Sequence, residues 1–198
     1  MASYTGISAT TAAVTNRFVV STNMSLTTYT IANGGLPVWQ GGCQVTVTHT
    51  TVAGTDTLGT MNLVGVGLDG QVQTEVITPI ADSVATSVKV YRSVTSLTSV
   101  GWVAVSTPDT IVAGCAAGAI AVGSAGLLFA IVVNTTAAAT VVLSDSKRTI
   151  ATLKASIAEG FYPFSPGLEF AGFLKVATTS TNDITVIHSG TLPNSIAL

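Results

Sequence analysis

The residues able to do chemistry in this chain are few and far apart. Its 198 residues hold nine Asp and Glu, seven Lys and Arg, two His and two Cys. Glycoside hydrolysis needs two facing carboxyls. Glu75 and Asp82 are the pair that could be offered, but both fall in strand and turn contexts that need polar residues anyway. A zinc or redox centre needs Cys and His at short, regular spacing. Cys43 and Cys115 lack CxxC spacing, and His49 has no second His or Cys at ligand spacing. A calcium loop needs several oxygen ligands in one compact turn, whereas Asp56, Asp69 and Asp145 are isolated from one another. No GxSxG elbow, HExxH pair or phosphate-binding glycine loop occurs. The reading is therefore non-enzymatic, with no catalytic, cofactor-binding or metal-ligating residue assigned. His49 is expected as a partly buried or rim histidine, and Asp56 as the anchor of an Asx-turn. The cysteines are expected as two buried thiols, with a disulfide between them as the alternative.

The elements that must carry these residues are strands. Charged residues make up 8% of the chain, against about 25% in ordinary soluble proteins. Thr, Val, Ala, Ser and Gly dominate instead, and Thr and Val suit a pleated surface. The clearest stretch is 60–105. Asp69-Gly70 is a hairpin signal, because it tolerates the positive φ of tight turns. Val72 to Thr78 alternates with period 2, and so does Val84 to Tyr91, with Val84, Thr86, Val88 and Val90 on one face. Arg92 to Ser99 continues as a further extended segment. Before this stretch, Arg17–Ser21, Leu26–Ile31 and Gln44–Thr51 are candidate strands. Val45, Val47 and His49 share one face of the last. Pro37-Val38-Trp39, between two glycine turns, is read as a core edge, with an interface as the alternative.

One segment imitates a membrane span. Ile111 to Val133 is uncharged and long enough to cross a bilayer. Its four glycines are costly in a soluble helix, its flanks lack orienting Lys and Arg, and Gly123-Ser124-Ala125-Gly126 reads as a turn. The expectation is strands at Ala119–Val122 and Leu127–Asn134, with no membrane contact. Thr140–Asp145, Thr149–Ala155, Phe173–Thr178 and Asp183–His188 read as further strands. The cluster Phe161, Tyr162, Phe164 and Phe170, around Pro163, Pro166 and Gly167, reads as a core plug. Thr107-Pro108-Asp109-Thr110 breaks the pattern, which places a boundary there. The fold expected is all-β: two small antiparallel β-sandwich, jelly-roll-like domains, 1–106 and 107–198, with extended terminal arms. The start, MASYTGIS, lacks the basic and apolar regions of a secretory signal. Net charge −2 leaves no basic patch for nucleic acid.

Two patterns resemble small structural proteins of tailed bacteriophages. The first runs from Gly67 to Ser99, GLDGQVQTEVIT followed by ATSVKVYRSVTSLTS. Asp69, Gly70, Thr74, Glu75, Ile77, Lys89, Tyr91, Val94, Thr95 and Ser96 carry it. The second joins Ile131–Asn134, Thr140–Asp145, Gly160–Phe164, Gly172–Val176 and Asp183–Ile187, and is similar to virion β-sandwich domains. The resemblance implies a non-enzymatic virion component, a capsid decoration (cement) protein bound to the major capsid protein. The alternative is a tail, baseplate or fibre component that binds a receptor or carbohydrate, with tail proteins as partners. No catalytic residue comes with it. A charge-poor surface is poorly kept apart in water, so a homo-oligomer is expected. A trimer suits the three-fold positions of a capsid, with residues 1–15 and 189–198 as arms.

Overall fold

The computed structural model describes residues 3–7, 13–34, 41–53, 56–104, 107–136, 139–178 and 183–189. Among them the chain is all-β, with antiparallel pairing throughout and no helix. The first seven strands are β1 (Ser3–Ile7), β2 (Val14–Asn23), β3 (Cys43–Thr50), β4 (Thr60–Gly67), β5 (Val72–Ile77), β6 (Val84–Val100) and β7 (Thr110–Cys115). The other seven are β8 (Ala119–Val122), β9 (Gly126–Thr135), β10 (Val141–Ser144), β11 (Thr149–Leu153), β12 (Gly160–Phe170), β13 (Leu174–Thr178) and β14 (Asp183–His188). They fall into two compact units, one holding β2–β7 and the other holding β1 and β8–β14.

The expected boundary at 106/107 is displaced at both ends. β7 lies after it in sequence, yet pairs with β2 and β3. β1 lies before it, yet pairs with β14. Pro108 and Asp109 do end a run of strands; long-range pairing, which leaves no local trace, decides which unit the next strand joins.

The unit of β2–β7 is one sheet, ordered β2-β7-β3-β6-β4-β5. Phe18, Val45, Val47, Met61, Leu63, Leu97 and Ile111 come from five of these strands and meet in one cluster, so the sheet curls over its own core. β6 makes the curl possible. Its first part pairs with β3 and its second with β4, and Tyr91 stands opposite both Cys43 and Gly67. Register shifts opposite Val64/Gly65 and Val66/Gly67 leave Thr95 and Arg92 of β6 as extra residues, and such bulges bend the strand that carries them. A Cβ on Gly65 would lie 2.2 Å from the Ser93 carbonyl oxygen, so only glycine fits. Leu26–Ile31 is not a strand. It lies along the second part of β6 through one bridge, Thr28 to Thr98, and through Tyr29 N–H and Ser99 N–H donated to Leu97 O and Thr27 O. The Tyr29 ring is tilted 54° to Trp102 at 6.2 Å between centroids.

The other unit has two four-stranded sheets, β1-β14-β9-β12 and β11-β10-β13-β8. Leu128, Ile131, Val133, Ile184 and Val186 from the first share one apolar cluster with Val122, Val141, Leu143, Leu174 and Val176 from the second. The segment 111–133 is spread over β7, β8 and β9, and no helix among the described residues is long and apolar enough to cross a membrane. Phe170 of the expected plug is buried, and Tyr162 and Phe164 pack against the core, but Phe161 is 61% exposed. The plug is strand β12, so alternation turns Phe161 outward. Residues 3–7 of the expected N-terminal arm are extended and held, as β1, on β14. The expectations for Pro37-Val38-Trp39 and for 190–198 fall outside the described residues.

Candidate interaction surface

The first phage-like pattern folds into one fastening between β5 and β6. Its Asp-Gly turn forms as expected: Gly70 has φ +78°, and Asp69 Oδ1 accepts the Gln71 N–H at 2.9 Å. The hairpin sets Gln73 opposite Gly65 and Glu75 opposite Leu63. A Cβ on Gly67 would lie 3.2 Å from Gln73 Cδ, so the glycines of β4 leave room for Gln73 to reach the Val90 carbonyl at 2.6 Å. Glu75 accepts the N–H groups of Val88 and Lys89 at 2.6 and 3.1 Å. Lys89 Nζ donates to Thr74 O at 2.7 Å. Tyr91 Oη donates to Glu75 at 3.4 Å. Burial first, and then the Glu75 charge, hold the Tyr91 phenol well above its ordinary range. These side chains stand in for sheet bonds between two segments that do not pair.

The same alternation sends four valines outward. Val72 and Val76 on β5 are 74% and 62% exposed, and Val84 and Val88 on β6 are 48% and 82% exposed. Ala85 and Ser87 face inward instead. The bulge between the Gln44–Val90 and Thr46–Thr86 pairs, opposite Val45, then brings both Val90 and Tyr91 into buried positions. The valine face expected on this strand is therefore, over its first half, the solvent face. Exposed Ile80 and Val52 lie on the neighbouring turns.

Those turns are knotted by a buried acid–histidine cluster. Asp109 and His49 are both 2% exposed, and the Asp109 carboxylate lies 3.1 Å from His49 Nε2. Asp109 also accepts the Val52 N–H at 2.7 Å, donates its own N–H to Asp56 at 2.7 Å, and accepts the Met24 N–H at its carbonyl. His49 Nδ1 accepts the Asp82 N–H at 3.2 Å, which leaves Nε2 carrying the proton toward Asp109. The Asp82 carboxylate takes the N–H and hydroxyl of Thr51, and those bonds hold it below the usual carboxylate range. His49 is thus a fully buried tie, not a rim residue. Asp56 reaches across the chain to Asp109 where a local Asx-turn is expected. Glu75 and Asp82 each hold backbone on a different turn or strand, and His49 is engaged at both nitrogens, an arrangement suited to anchoring rather than proton transfer. The sequence reading missed Asp109; its one local sign was its place after Pro108.

Cys43 and Cys115 are buried thiols on β3 and β7, not joined in a disulfide. A hydrogen bond with Cys43, and secondarily the charge of Arg17, lowers the Cys115 thiol against the opposing effect of burial. In the other unit, Asp145 accepts the N–H groups of Lys147, Arg148 and Ala171. Burial pushes that carboxyl up, but the three bonds and the Arg148 charge outweigh it and leave it below the usual range. Among the described residues no three His, Cys, Asp or Glu group to hold a metal ion. The chain matches no protein-family model, no curated protein and no solved structure.

Proposed function

We propose that this chain is a non-enzymatic structural component of a bacteriophage virion, a decoration protein that binds the major capsid protein at junctions between capsomers. The observation that carries the reading is the exposed valine face of β5 and β6, set on a chain with 8% charged residues. Apolar side chains held rigidly on a sheet and left in water mark a surface meant to be covered. Glu75, Lys89 and Tyr91 of the phage-like pattern fasten β5 to β6 and so hold those valines in place. Binding the assembled shell but not its separated subunits would stabilise the shell by mass action. The test is electron cryo-microscopy of intact particles, with the chain added to shells that lack it. Density at capsomer junctions, together with a raised disassembly temperature, is the expected result. Density confined to the tail would replace this reading with that of a tail or fibre component.

A further inference from the structure

We infer that β1 is an exchangeable strand, and that in the homo-oligomer residues 3–7 of one copy lie on β14 of the next. The inference rests on the oligomeric virion reading. β1 sits at the edge of its sheet and pairs with β14 alone, from Ser3 opposite His188 to Ile7 opposite Ile184. The pairing runs through the main chain, so β1 of any copy fits β14 of any other. The strand that follows it, β2, belongs to the other unit. β1 and β2 thus belong to different units, and β1 can leave without drawing its neighbour in sequence out of a sheet.

What it would leave behind is the bare edge of β14, whose Ile184, Val186 and His188 are buried in the core. An open edge is a template for another strand. The occupant that fits is a second copy of residues 3–7, because the same sequence already fills the place in cis. Exchange replaces each lost bond with an identical one, so its cost is low, and contacts between copies decide the balance. Natural sheets commonly guard their edges with Lys or Pro. Residues 1–15 hold neither, nor any charged residue.

The register supplies the test. Tyr4 stands opposite Ile187. Tyr4→Cys chains and Ile187→Cys chains, co-expressed and treated with a short bifunctional thiol reagent, should give a covalent species of twice the chain mass. Neither variant alone, nor the parent with its buried Cys43 and Cys115, should give it. Light scattering on the same samples reports the oligomer. A multimer with no inter-chain product overturns the exchange and leaves the oligomeric reading standing. A monomer overturns both. A chain lacking residues 1–8 serves where the new cysteines disturb the sheet: if it is folded by circular dichroism, exchange requires loss of the multimer, and an unchanged multimer refutes it.

Discussion

The two units cover an apolar core by opposite means. In the unit of β2–β7, one six-stranded sheet bends around its own inner face. Where β6 bends, its pairing loses register, and Gln73 and Glu75 reach its backbone instead; at the turns beside β3 and β7, Asp109 holds His49 and Val52. In the unit of β1 and β8–β14, two four-stranded sheets share an aliphatic core, and Asp145 fastens a turn between strands. A long bent sheet needs buried polar ties at its corners; two short sheets lean on burial. The contrast predicts that the units respond to different substitutions.

Asp109→Ala should break it most. It removes the acceptor of the buried His49 ring and of the Val52 N–H, two hydrogen bonds to a carboxylate worth about 1.5–3 kcal/mol each. Hydrogen exchange should show faster opening of β3, β6 and β7, with β9 and β14 unchanged. Equal losses in both units would remove the contrast. Leu174→Ala should do the reverse. Leu174 is fully buried in the shared core, and truncation there costs about 2–5 kcal/mol, read as faster exchange in β9, β10 and β13. Glu75→Gln should have a smaller effect, about 0.5–1.5 kcal/mol for weakened hydrogen bonds. It should also lower the titration of the Tyr91 phenol seen by ultraviolet absorbance, because the charge that helps raise it is gone. The smallest effect belongs to pH. Asp145 lies below its unfolded value of about 3.9. Its contribution is therefore present above that value and lost as pH falls through the folded one. Asp145→Asn should flatten the acid limb of a denaturation series; an unchanged slope would show that its three N–H bonds are not coupled to folding.

Much of the fold was legible because strands speak in period 2. Asp183–His188 coincides with β14, and the Asp-Gly turn falls where its φ requirement places it. The sign of a face was less legible. Val84, Thr86 and Val88 alternate with Ala85 and Ser87, and Thr and Val suit either side of a sheet; the inward face is chosen by what β3 brings opposite. Leu26–Ile31 has strand composition, but only part of β6 is open to it, so it binds through scattered bonds. The surface fastenings were readable as a motif but not as geometry. The His49–Asp109 tie was illegible, since 60 residues separate its partners and a side-chain bond leaves no periodic trace. The partner of β1 lies at the far end of the described chain, beyond the reach of any local signal.

The chain's two cysteines both lie in the unit of β2–β7, side by side and shut away from water. An alkylating reagent added to the native protein meets no thiol until β3 and β7 part. The rate of labelling is therefore a clock for the opening of that unit, set by its local free energy. The other unit holds no cysteine and stays silent. The same clock can be read by mass spectrometry without a substitution or an attached probe, and it reports any slowing of that opening when another protein is added.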